Sequence, residues 1–216
     1  MKKNLTEIVF ILDRSGSLAG LEADTIGGFN AMIEKQKQVA GQAYISPVLF
    51  DHESVVIHDR VDVQKLKPMT GREYYVRGCT ALLDAVGSAI SHIGNVHKYA
   101  REEARPEKPL FVITTDGMEN ASRRYDYAKV KQMITARQAQ GWEFLFLGAI
   151  IDAAREAARF GSHADNAADY RADSVGTGVV YETVNDALCQ ARRCDAPLKA
   201  NWKEKVDRDY RKRGRK

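Results

Sequence analysis

Two apolar runs of strand length, Ile8-Val9-Phe10-Ile11-Leu12 and Leu110-Phe111-Val112-Ile113, each break off into a hydroxyl-bearing turn that carries a carboxylate. The first passes into Asp13-Arg14-Ser15-Gly16-Ser17 and the second into Thr114-Thr115-Asp116-Gly117. A run without alternating polar residues suits a strand covered on both faces, as in a parallel sheet between two layers of helices. Ligands of such sheets gather at the carboxyl ends of the strands, where Asp13 and Asp116 fall. Ser15 and Ser17 lie two apart, so their hydroxyls point the same way in an extended segment. Hard oxygen donors of this kind suit Mg2+ better than Zn2+, and Gly16 removes a side chain that would crowd a backbone wrapped around a small octahedral ion. Either stretch alone also reads as a strand ending in an ordinary Ser-Gly turn beside an acidic helix cap.

A third segment narrows the choice. Arg77-Gly78-Cys79-Thr80 leads into the helical pattern Ala81-Leu82-Leu83-Asp84-Ala85-Val86 and places a hydroxyl at a helix start. In this order, Asp13-Ser15-Ser17, Thr80 and Asp116-Gly117 resemble the three motifs of the metal-ion-dependent adhesion site (MIDAS) of the von Willebrand factor A (VWA) domain family. The resemblance runs from about Thr6 to about Arg193. It is closest to small free-standing bacterial and phage members, through Gly27-Gly28-Phe29-Asn30 and the segment from Arg77 to Ala85. It implies an α/β fold, doubly wound, with a mostly parallel central sheet and one antiparallel edge strand. It also implies Mg2+, with Mn2+ as the alternative ion. The hydroxyls of Ser15, Ser17 and, in the ligand-bound state, Thr80 would contact the ion, while Asp13 and Asp116 would hold coordinated waters and orient the hydroxyls. In the family the last helix often shifts with ligation.

An ion held largely by neutral hydroxyls and water keeps much of its positive charge, and an open position then attracts a carboxylate. The expected function is therefore a metal-dependent protein-binding module that captures a partner's Asp or Glu. Arg77, Gly117, Met118, Glu119 and Asn120 would form the rim that contacts the partner. Glu119 reads equally well as an acidic residue near a helix start. The rival class is a Mg2+-dependent hydrolase or phosphoryl-processing enzyme. The sequence contains no P-loop, HExxH or GxSxG pattern, and no residue stands out as general base or nucleophile, so no catalytic residue is assigned.

Between these motifs the pattern alternates strands and helices. Helices are predicted over 22–40, 81–93, 126–140, 152–160 and 177–193, and strands over 43–50, 54–58, 142–148 and 164–170. Gly27-Gly28 in the first helix signals either close packing or a kink. Asp51-His52-Glu53 reads as the solvated tip of a hairpin, with Pro47 near an edge or bulge. The stretch 59–75 reads as a polar, irregular loop. His92 and His97 fall near a helix end and read as structural.

The chain's 216 residues, with 44% hydrophobic and 29% charged, suit one α/β domain, expected over 1–194. No apolar run approaches bilayer length, and Lys2-Lys3 gives way almost directly to the first strand, leaving no room for a signal sequence. The expected location is cytoplasmic, with no membrane partner. Cys79, Cys189 and Cys194 show no CxxC pairing and read as free thiols. Residues 195–216 hold nine Lys/Arg against four Asp/Glu, so the net +4 of the chain resides in a basic tail, expected to be flexible. A nucleic-acid role would have to use Lys199 to Lys216, where only Trp202 and Tyr210 could stack on bases.

Overall fold

The computed structural model describes residues 2–149, 152–193 and 197–214. The chain runs β1 (Lys2–Asp13), α1 (Glu22–Lys37), β2 (Gln42–Phe50), β3 (Ser54–Val56), β4 (Val61–Asp62), α2 (Leu82–Tyr99), β5 (Pro106–Thr115), α3 (Tyr127–Gln138), β6 (Glu143–Ala149), α4 (Ala153–Arg159), β7 (Ala167–Tyr170), α5 (Ser174–Arg193) and α6 (Glu204–Arg213).

The strands form one sheet in the order β3-β2-β1-β5-β6-β7, with β4 also pairing with β2. β2, β1, β5, β6 and β7 are mutually parallel. The edge at β2 is antiparallel and split between β3 and β4. β3 pairs with Val48 to Phe50 and β4 with Tyr44 and Ile45, so Pro47 sits at the gap between the two edge strands. A residue without an N–H is tolerated there.

The uninterrupted apolar runs fold as expected because helices cover both faces of the sheet. Ile8, Phe10 and Leu12 of β1 pack with Phe29 and Met32 of α1 and Val184 and Leu188 of α5. Val9 and Ile11 pack on the other face with Leu83, Val86 and Ile90 of α2 and Ile134 of α3. Each such side chain, taken fully from water, stabilises the fold by about 1.5–3 kcal/mol. Close packing explains the second glycine of the Gly27-Gly28 pair, since a Cβ on Gly28 would lie 2.3 Å from the Tyr181 ring on α5.

Three sequence expectations are corrected. Asp51 is not at a solvated tip: it is fully buried at the end of β2, although His52 and Glu53 beside it are exposed. The stretch 59–75 is irregular apart from β4 and a 3-10 turn at Val63–Lys65, but it is not simply polar, because Val63, Leu66, Met69 and Tyr74 sink into the core beneath α1 and α5. The flexible tail is replaced over 197–214 by a short 3-10 turn and α6, with Trp202 and Val206 buried against the main core. The indole N–H of Trp202 donates to the Asp165 carbonyl at 2.8 Å. Composition misled here because α6 is charged almost throughout, and a single apolar position per turn is enough to dock a helix that already has a core to lie on. Its cations are largely matched: Lys205 with Asp186, Arg208 with Glu204, and Arg213 with Asp173 and Asp209. The helix therefore presents a surface of mixed sign. The expected domain boundary and Cys194 lie outside the described residues.

Candidate metal centre

β1 and β5 are adjacent and parallel, with Leu12 opposite Thr114, so Asp13 and Asp116 leave the sheet side by side at its carboxyl edge. The strand order also reverses here, with the chain going to β2 on one side of β1 and to β6 beyond β5 on the other. A crevice is expected at such a switch point.

The first loop is tied down by its own carboxylate. Asp13 Oδ1 accepts the Ser15 N–H at 2.7 Å, an Asx turn that sends the chain back over the strand end. Asp13 Oδ2 accepts the Thr115 hydroxyl at 2.6 Å. The Tyr74 hydroxyl donates to the Asp13 carbonyl at 2.7 Å from beneath. The hydroxyls of Ser15 and Ser17 lie 3.2 Å apart, and that of Ser17 donates to Asp116 Oδ1 at 2.8 Å. Asp116 Oδ2 is buried with no hydrogen-bond partner in the protein.

Thr80 completes the cluster. A Cβ on Gly117 would lie 3.1 Å from Thr80 Oγ1 and 3.9 Å from Ser17 Oγ, which places both hydroxyls against the Gly117 backbone. The Gly16 N–H donates to the Gly78 carbonyl at 3.2 Å and the Arg77 N–H to the Arg14 carbonyl at 2.8 Å, stitching the first loop to the second. Gly78 has φ +66°, and a Cβ there would strike His52, so glycine is required at this crossing. The Asn120 side-chain oxygen accepts the Thr80 N–H at 2.9 Å while the Asn120 backbone N–H donates to the Thr80 carbonyl at 3.0 Å, joining the second loop to the third.

The electrostatics are unbalanced. Burial raises the Asp13 carboxyl above its ordinary value, against the hydrogen bonds from Thr115 and Ser15. Burial and then the neighbouring Asp13 push Asp116 up to about 6, against the hydrogen bond from Ser17. Two carboxylates share a buried site whose nearest polar neighbours are neutral hydroxyls, so the folded chain favours protons or a cation there. Nearby, Asp51 behaves oppositely. Burial works to raise it, but the Arg77 hydrogen bond, the Glu53 N–H and the Arg14 charge hold it below its ordinary value.

The five oxygen-bearing residues singled out from sequence thus come together at one edge of the sheet. The rim residues fare differently. Met118 is 67% exposed beside Gly117 and points to solvent. Glu119 turns inward: its carboxylate accepts the N–H groups of Leu83, Ala121 and Ser122 and the Ser122 hydroxyl, capping the start of α2. All its strong acceptor directions are used, so it does not project a free charge over the site. Arg77 turns sideways, donating to Asp51 at 2.7 Å and lying over the exposed Tyr75 ring. Thr115, Tyr74, Arg14 and Asp51 were missed from sequence. Thr115 left a local trace, a hydroxyl closing the apolar run of its strand; the others act across the fold. Among the described residues, no group of three or more His, Cys, Asp or Glu side chains gathers into a metal cluster. A metal in this protein would need hydroxyl donors, which Ser15, Ser17 and Thr80 supply.

No protein-family model matches the sequence, and no curated protein matches it. Solved structures do. The zinc occupied MIDAS form of proximal thread matrix protein 1 from the mussel byssus superposes with a TM-score of 0.58 at 13% identity, over 88% of this chain and 47% of that one. The vWF domain of the type V pili tip protein Mfa5 from Porphyromonas gingivalis gives 0.60 at 9% identity, over 89% and 98%. Manganese-loaded TRAP protein from Plasmodium vivax gives 0.53 at 13%, over 83% and 73%. The chain thus spans about half the length of the mussel protein and nearly all of the isolated pilus domain. At these identities the likeness is one of fold, and the fold is that of a von Willebrand factor A domain.

Proposed function

We propose that the chain is a metal-dependent protein-binding module, and that Asp13, Ser15, Ser17, Thr80 and Asp116 hold Mg2+, with Mn2+ as the alternative. The observation that carries this reading is Asp116 Oδ2, a buried carboxylate oxygen without a partner, beside three converging hydroxyls. An orphaned acceptor of this kind costs free energy unless a cation or water meets it. Asp13 has both oxygens occupied by Ser15 and Thr115, so it orients the loop and contributes charge. Bound there, the ion would supply a Lewis-acidic position for a carboxylate from a partner protein. Ser17 and Gly16 are exposed, which leaves the cluster open on one side. We assign specificity, through shape and charge, to Met118 and the segment 72–77.

Two superposed structures support a metal reading, since one has a zinc occupied MIDAS and another is manganese-loaded. No helix among the described residues is long and apolar enough to cross a membrane. We place the module in the cytoplasm on the free, exposed thiol of Cys79, which suits a reducing compartment.

The test is titration calorimetry with Mg2+ and Mn2+. The wild type should bind, and Asp13→Ala should bind at least tenfold more weakly. Equal affinities would remove the first loop from the site. For the partner, capture from lysate in Mg2+ should be lost in EDTA and in Thr80→Ala; capture that survives both would assign recognition to another surface.

A further inference from the structure

We propose that Asp51 is the positioning residue of the metal centre, setting the second loop against the first; this rests on the metal-binding reading above. Phe50 pairs with Asp13 at the strand ends, so Asp51 emerges beside Arg14, inside the first loop. Its Oδ2 accepts from Arg14 Nε at 2.8 Å and from Arg77 Nε at 2.7 Å. Its Oδ1 accepts the Glu53 N–H at 2.8 Å and lies 3.1 Å from His52 Nδ1. Its backbone carbonyl accepts the Ala81 N–H at 2.7 Å.

One residue therefore grips the second loop on both sides of Thr80, at Arg77 through its carboxylate and at Ala81 through its carbonyl. The same carboxylate grips the first loop between Asp13 and Ser15. Among the described residues, the other backbone ties between these two loops are the contacts Gly16 to Gly78 and Arg77 to Arg14. Asp51 thus joins these ties and the Asn120 pair in fixing where the Thr80 hydroxyl sits relative to Ser15 and Ser17.

The charges sharpen the point. Arg14 is 4% exposed, Asp51 0% and Arg77 38%. With the carboxylate present, two guanidiniums beside a cation site are half neutralised, and Glu53 stands 3.5 Å from Arg77. Without it, a buried guanidinium next to Asp13 would face the metal uncompensated and repel it. Loss of the Asp51 carboxylate should therefore weaken the metal both by loosening Arg77, three residues before Thr80, and by adding positive potential. Groups that orient ligands from behind in this way are typically worth about 10- to 100-fold in metal affinity.

The experiment is Mg2+ calorimetry on wild type, Asp51→Asn and Arg77→Gln, beside the melting temperature of each protein in EDTA. Arg77 is partly exposed, so Arg77→Gln should fold normally and carries the test if Asp51→Asn does not fold. We expect Kd to rise about 10- to 100-fold in Asp51→Asn and several-fold in Arg77→Gln, with the metal-free melting temperature of Arg77→Gln unchanged. A purely structural role would lower melting temperatures and leave the Kd of the folded protein as in wild type. That result in either folded variant overturns the proposal. If wild type itself binds neither Mg2+ nor Mn2+, the metal reading falls and takes this inference with it; if wild type binds and the variants match it, only the positioning role falls.

Discussion

β1 buries two carboxylates, one at its middle and one at its end, and treats them in opposite ways. At mid-strand, Glu7 is fully buried and meets Arg60 and the His97 ring, the latter at 2.5 Å. At its end, Asp13 is nearly as buried and meets Ser15, Thr115 and a second carboxylate, Asp116, and among the described residues no side-chain cation is bonded to either acid. Glu7 is held by a guanidinium the fold supplies itself, with the His97 ring at hydrogen-bond distance on its other oxygen. The strand's end lacks such a cation although Arg14 lies within its loop, because that guanidinium is turned away onto Asp51. Two buried acids that the neighbouring guanidinium leaves unneutralised are what the proposed cation site would use.

The comparison can be broken most forcefully at Glu7. Glu7→Ala leaves Arg60 and His97 facing a hole in a water-poor layer, and breaking a buried pair in this way costs about 3–5 kcal/mol. We expect a marked fall in urea midpoint with no change in the Mg2+ Kd of the protein that remains folded. A parallel loss of metal affinity would show that the two sites are not separate systems.

A smaller effect, of opposite sign, is expected at Asp116. Its folded carboxyl titrates at about 6 against an ordinary 3.8, so the folded state binds the proton more tightly than the unfolded chain does. The metal-free protein should therefore lose stability as pH rises from about 4 through 6, by about 2 kcal/mol from this group. Asp116→Asn should flatten that part of the profile and match or exceed wild type at pH 7 in EDTA. It should also abolish the stabilisation that Mg2+ confers, which is about 2.7 kcal/mol when the ion is at 100 times its Kd. Urea titrations between pH 4.5 and 7.5 read this directly; a metal-free wild type that gains stability over that range through this residue would refute the charge imbalance.

The smallest change is Thr115→Val, which deletes the hydroxyl that donates to Asp13 while keeping the buried volume. About 1 kcal/mol of stability should be lost, and Mg2+ affinity should fall by a few-fold because Asp13 is no longer oriented. Unchanged calorimetry would mean that the Asx turn from Ser15 is sufficient to aim the carboxylate.

What sequence alone determined is the part of the molecule in which local order and contact coincide. Continuous apolar runs demanded strands covered on both faces, helical spacing supplied the covers, and the short loops after β1 and β5 carried their oxygens with them because a parallel sheet delivers adjacent strand ends to the same edge. Asp13, Ser15, Ser17 and Asp116 could be picked out for that reason, and Thr80 because it opens a helix. Tertiary structure alone decided the rest. Asp51 has the sequence context of a turn tip, and only the pairing of β2 with β1 brings it beside Arg14 and buries it. Glu119 has the look of a surface acid until α2 offers it free N–H groups. Trp202 and Val206 lie in a charged stretch and become core only because β7 and α5 have already built a surface for them. In each case the deciding partner lies tens of residues away, and a charged or polar side chain takes its role from the partner it meets, whereas an apolar one is driven inward wherever the chain places it.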